Sequence, residues 1–212
     1  MLLARIAGIR VFGTGGLGGV HRGGQDSLDI SADLTELGRT RVAVVSSGCK
    51  GFLDIPRTLE YLETQGTLVA TFAEGREGNV DFPAFWARES GTKSPAVVRD
   101  EKEAAAIILA QERLGIESGL LFANPIAEEH AIPSVEMAAA IETAVREASE
   151  KGYTGSTNTP FVLSRIRDLT GGKSVEANVA LVQANVARAA KIASELSKLT
   201  RVGSETSTFK TQ

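Results

Sequence analysis

Residues 41–72 read RVAVVSSGCKGFLDIPRTLEYLETQGTLVATF. The β-branched run from Arg41 to Ser46 suits a strand buried on both faces. A loop of small residues follows, Pro56 sits well as the first residue of a helix ending near Gly66, and Leu68 to Phe72 is a second apolar run. Strand, loop, helix and strand in that order are the units of a parallel crossover, because two parallel neighbours need a long connection between them.

The same grammar extends in both directions. Upstream, the apolar run Ala7 to Phe12 predicts a strand ending in glycines, with a loop through Asp26 and a short helix over Ala32 to Gly38 capped by Ser31. Downstream, a polar excursion spans Ala73 to Asn79, Asp100 with Glu103 resembles a capping box for a helix to about Leu114, and Gly119 to Ala123 returns as a strand. Helices are predicted at Ser134 to Lys151, Thr159 to Leu169 and Ser174 to Leu199. The expected fold is α/β: a mostly parallel sheet with helices on both faces and a helical C-terminal part, forming a single domain over 1–200 with a mobile polar tail at 201–212.

Composition narrows the function classes. With 42% hydrophobic and 23% charged residues among 212, the chain can bury a sizeable core. A net charge of -3 gives no broad attraction to nucleic acid or anionic lipid. The lone Cys49 cannot form an internal disulfide, and no apolar stretch is long enough to span a membrane. The first ten residues carry Arg5 within their apolar patch and lack a cleavage site, so they read as structure, and the cytoplasm is the expected compartment.

Open parallel sheets carry their chemistry at the carboxyl ends of the strands. Two predicted loops lie there. The first, Gly13 to Gly24, contains the string GxGxxG. A dinucleotide site also needs a helix starting inside that fingerprint and an acid ending the next strand. Here His21, Arg22 and two more glycines prolong the loop, and the next strand ends in Ser46-Ser47-Gly48, which argues against nicotinamide or flavin. The second loop places Lys50 between small residues after an apolar strand. An amine so placed, partly desolvated and with a lowered pKa, can attack a carbonyl to form an imine; it can equally contact a phosphate or form a salt bridge. Between the loops, Asp26 to Asp33 is dense in oxygen ligands. It reads either as a helix cap with solvated acids or as the holder of a hard divalent ion beside a phosphate, with Ser31 and the first amides of the helix cradling that phosphate.

The blocks GIRVFGTGGLGGVHRGG (8–24), DISADLTEL (29–37), VVSSGCKGFLDIPRTLEYLETQG (44–66), FPAFWARESG (82–91), LLFANPI (120–126) and LTGGKSVEANVALV (169–182), in this order, resemble the pseudouridine-5′-phosphate glycosidase family. The lysine block and the 73–79 insertion look most like fungal members. The resemblance implies reversible cleavage of the carbon–carbon bond of pseudouridine 5′-phosphate to uracil and ribose 5-phosphate. Lys50 matches the family's Schiff-base nucleophile and Asp29 its manganese ligand, with magnesium as the alternative ion. Ser31, Ala32 and Asp33 match a substrate-binding stretch, and Thr14, His21 and Asn178 match further active-site positions. A homotrimer is also implied. The chemistry is coherent: a C-glycosidic bond offers no heteroatom leaving group to protonate, so an imine serves as the electron sink and a proton goes to the uracil carbon.

The resemblance also implies an amino-terminal region before the counterpart of Met1, containing a glutamate proton donor and a substrate-contacting lysine. No glutamate here takes that role by motif, and Lys93 does not align with that lysine. This chain is therefore expected to hold ribose 5-phosphate better than it cleaves pseudouridine 5′-phosphate. The alternatives are a truncated, non-catalytic relative that binds phosphosugar or a partner, a fragment of a longer enzyme, and a different imine-forming aldolase or lyase on an α/β scaffold.

Overall fold

The computed structural model describes residues 1–154 and 157–208, and from 202 on only the course of the backbone. Strand β2, Ala43–Ser46, is buried along its whole length. Its side chains alternate between two cores, Val44 with Leu34, Leu37, Leu62 and Leu121 on one face and Val45 with Ile108, Phe122 and Ile192 on the other. That alternation is the period-two geometry of a strand covered on both sides.

Around β2 the strands β1 (Val11–Gly13), β3 (Leu68–Phe72), β4 (Ala96–Val98) and β5 (Leu120–Ala123) form one sheet in the order β1-β2-β5-β3-β4. Every pairing is parallel. One layer contains α5 (Glu101–Arg113) and the distal part of α8 (Lys173–Thr208). The other contains α3 (Ala32–Arg39), α4 (Ile55–Thr64), α6 (Ser134–Glu150) and α7 (Asn158–Leu169). The fold is thus a three-layer α/β structure with a helical C-terminal part, as the sequence predicts.

Local signals explain most element boundaries. Asp54 caps α4 by accepting from the Arg57 amide at 3.0 Å, which puts Ile55 first and Pro56 second in the helix. Asp100 caps α5 in the same way through the Glu103 amide at 2.8 Å. Glu103 does not close the reciprocal bond to the cap residue; its carboxylate accepts from the Arg99 amide instead, at 2.7 Å.

The amino terminus differs from the expected strand over Ala7 to Phe12. Leu2–Ile6 forms a short helix α1, and Gly8, at φ 76°, lets the chain turn before β1 starts at Val11; one further helical turn, α2 (Gly24–Ser27), closes the glycine loop. Strand β4 had no sequence signal of its own because three residues are too few to show a period. Helix α8 continues beyond Leu199 to Thr208, and the remainder of the expected tail, 209–212, lies outside the described residues. Among the described residues no helix is long and apolar enough to cross a membrane.

Candidate active site

The glycine loop leaves β1 and runs against the loop that leaves β2. The Leu17 amide donates to the Gly48 carbonyl and the Lys50 amide donates to the Leu17 carbonyl, each at 3.0 Å. Val20 then pairs with both Ile30 and Asp54. These bonds join the glycine loop, the acidic segment and the lysine loop into one surface at the carboxyl edge of the sheet.

Two glycines are required by this closeness. A Cβ on Gly18 would stand 2.0 Å from the Ser31 hydroxyl oxygen. Gly48 has φ 79°, and a Cβ there would lie 2.2 Å from the Pro83 carbonyl oxygen. The glycine-rich composition therefore serves backbone approach between loops.

Ser31 caps α3, accepting from the Asp33 amide, and the Asp33 carboxylate accepts from the Gly18 amide at 2.8 Å. Ala32 opens the helix beside them. The structure thus brings Ser31, Ala32 and Asp33 to the glycine loop, with part of Asp33's acceptor capacity already used there. His21 donates its backbone amide to the Asp29 carbonyl at 3.0 Å, and its Nδ1 lies 3.9 Å from an Asp29 carboxylate oxygen. The His21 side chain is 15% exposed and that of Asp29 35%. Asp29 therefore remains open to solvent on one side.

Lys50 is half-buried, and among the described residues no carboxylate lies within ion-pair distance of its amine. Of the roles open to it on spacing alone, the structural salt bridge is thereby disfavoured. Its neighbour Cys49 is fully buried, and burial pushes that thiol up to about 12, so the sulfur stays protonated and out of reach. Thr14 lies at the start of the glycine loop, its amide donating to the Val45 carbonyl. Asn178 is exposed on α8 and points its side-chain oxygen at the same loop, 3.4 Å from where a Cβ on Gly15 would stand.

No group of three or more His, Cys, Asp or Glu side chains converges on a metal position among the described residues. Asp29 offers one solvent-facing carboxylate, which fits a hard divalent ion that keeps most of its water and fits no cage-type site.

Residues that sequence reasoning passed over complete the picture. Asn158 brings its amide nitrogen to 3.5 Å from His21 Nδ1. Phe85, at φ 63°, donates its amide to the Ser47 carbonyl and lays its ring where a Cβ on Gly16 would otherwise go. Asn124 and Asn185 form a buried polar pair behind the loops. Asparagine in a helix or after a strand carries no signal of its own; the blocks FPAFWARESG and LLFANPI marked the segments of Phe85 and Asn124, and nothing marked Asn158 or Asn185. Lys93 bonds Asp81 at 2.7 Å and so belongs to the scaffold. A cleft of about 450 Å³ opens beside the site at Gly51 and Arg22, walled by Ala84, Met137 and Ile141; Lys50 and Asp29 do not line it.

Fold and site together define an open parallel α/β protein whose distinctive loops meet at the carboxyl edge of the sheet, around one lysine and one solvent-facing aspartate. The chain belongs to the family described as Indigoidine synthase A like protein, which matches residues 1–195. It is 52% identical over 199 residues to a pseudouridine-5′-phosphate glycosidase of Caldanaerobacter subterraneus subsp. tengcongensis, covering 94% of this chain and 63% of that one. The corresponding protein of Arabidopsis thaliana is 46% identical, with 94% and 59% covered. Among solved structures, the prealnumycin C-glycosynthase AlnA in complex with ribulose 5-phosphate superposes with a TM-score of 0.86 at 32% identity, covering 94% of this chain and 64% of AlnA. An indigoidine synthase A-like protein from Thermotoga maritima gives 0.78 at 35% identity, with 91% and 61% covered. The resemblance read from the sequence is borne out, and the chain spans about three fifths of the length of the curated relatives it matches.

Proposed function

We propose that this chain carries the sugar-phosphate-binding and imine-forming part of a pseudouridine-5′-phosphate glycosidase. The observation that carries the reading is the setting of Lys50: half-buried, after a central strand, hydrogen-bonded through its backbone to the glycine loop, and without an acidic partner among the described residues. The names of the curated relatives, and the sugar phosphate bound by AlnA, support the substrate class.

In the direction of bond formation, the Lys50 amine condenses with the aldehyde of ring-opened ribose 5-phosphate and water leaves. The imine carbon accepts the electron pair of uracil C5, that carbon then loses its proton, and closure of the sugar ring returns the amine. Cleavage runs in reverse, with uracil C5 taking a proton as the bond breaks. Thr14, His21 and Asn178 would orient the sugar, while Ser31, Ala32 and Asp33 present the helix start to its phosphate. Asp29 would hold manganese or magnesium, which when bound offsets negative charge beside the phosphate. Homotrimeric assembly belongs to the same reading by family resemblance, and the lone Cys49 suits a reducing, cytoplasmic setting.

Borohydride reduction in the presence of ribose 5-phosphate should add the sugar-phosphate mass to Lys50, with uracil release from pseudouridine 5′-phosphate followed alongside. A label on a different lysine, or none from protein that does release uracil, would refute the assignment. Full uracil release by this chain would show that a residue within it supplies the proton that no motif assigns.

A further inference from the structure

Asn185 on α8 is fully buried, and none of the roles above uses it. Its amide nitrogen lies 2.7 Å from the Thr14 carbonyl and 3.1 Å from the Gly15 carbonyl. Its side-chain oxygen accepts from Asn124 Nδ2 at 2.8 Å. The Ser47 hydroxyl stands 3.1 Å from the nitrogen and 3.4 Å from the oxygen. A primary amide has two protons to give. With both directed at the two carbonyls, the Ser47 hydroxyl is the donor to Asn185 Oδ1. One side chain therefore ties the start of the glycine loop, the start of the lysine loop and the end of β5.

The two loops so tied are those that meet again at Leu17 and Lys50, where the Lys50 amide donates to the Leu17 carbonyl. Burying an amide is unfavourable unless its bonds are made, and an apolar residue of similar volume would fill the same space without that demand. The polar choice specifies where the loops stand relative to each other. Among the described residues Asn124 Oδ1 is buried without a partner, so the network is left open at its β5 end.

We infer that Asn185 is a positioning residue that sets the register of the glycine loop against Lys50. The inference deepens the imine-forming reading and rests on it. Asn185→Asp keeps the size but turns an acceptor toward two carbonyls, and Asn185→Leu keeps the volume without any donor, which covers the case in which the charged variant fails to fold. For both, borohydride trapping should be followed against ribose 5-phosphate concentration and expressed per folded molecule. The maximal trapping rate should fall about tenfold or more while the half-saturating concentration moves by less than about threefold. Hydrogen exchange should rise together in residues 13–19 and 46–51. A purely structural role would lower the melting temperature and leave the rate per folded molecule unchanged. An unchanged maximal rate in the folded Leu variant, or exchange that rises in neither or only one loop, overturns the inference. If the unsubstituted chain does not label Lys50, the imine reading fails by itself, and the exchange result alone decides whether Asn185 couples the loops.

Discussion

Two groups of charged side chains lie at the carboxyl edge of the same sheet and are treated in opposite ways. Beyond β3, Glu74 accepts from Arg88 at 2.9 Å and from Arg188 at 3.2 Å, Arg188 also approaches Glu101 at 3.6 Å, and its guanidinium sits 4.3 Å over the Phe72 ring. Arg76 donates to the carbonyls of Phe72 and Ala73. Beyond β1 and β2, Lys50 has no acidic partner among the described residues, and Asp29 has only a histidine, at 3.9 Å. Charges that satisfy one another hold loops in place. Charges held by their backbones but left without a counter-charge remain available to a ligand.

That contrast can be broken most sharply at Lys50. Lys50→Ala should abolish ribose 5-phosphate trapping while circular dichroism and melting stay close to the parent, since among the described residues the side chain has no hydrogen-bond or ion-pair partner to lose. A variant that traps as before, or unfolds, would place Lys50 with the arginines of the β3 side.

The next effect is expected at Asp29. Asp29→Asn should weaken metal-dependent binding of ribose 5-phosphate about tenfold by isothermal titration with manganese, and chelation of the parent should do the same. Unchanged affinity under both treatments would remove the metal role.

On the β3 side the prediction reverses. Arg188→Ala should cost about 1–2 kcal/mol of stability, because it removes two partly shielded ion pairs and a cation–π contact. Trapping per folded molecule should be unaffected. A loss of trapping with an unchanged melting temperature would show that this cluster also serves the ligand.

The smallest effect concerns Asp81, which is buried and directly precedes the 82–87 segment that packs against the lysine loop. Burial alone would raise its carboxyl, but hydrogen bonds from Lys93 and the Gly91 amide outweigh it and hold the group below the ordinary carboxylate value. A depressed folded pKa contributes stability that is fully present above the unfolded value, near 4, and is lost as pH falls through the lower folded value. Asp81→Asn should therefore flatten the acid limb of a melting-temperature profile below about pH 4 and cost no more than about 1 kcal/mol at neutrality, since Lys93 is largely exposed. An acid limb identical to the parent's would show that other carboxylates govern it.

Much of this protein was legible locally. The alternation of apolar runs with capped helices specified a parallel, two-sided sheet, and Ser31, Pro56 and Asp100 mark, to within a residue, helix starts that the structure contains. Lys50, Asp29 and the Ser31–Asp33 stretch stood out because each follows a strand or opens a helix within a few residues, the range over which propensity and capping act. Two things had no local trace. Strand β5 inserts between β2 and β3 although β4 precedes it in the chain, because the order of parallel strands depends on how crossover helices pack and not on any strand's composition. Asn185 reaches Ser47 across 138 positions of sequence, and Asn158 reaches His21 across 137. Residues so far apart meet only when the layers close, so which buried amide would tie the loops together was decided by tertiary packing, where leaving a buried polar group unsatisfied is costly.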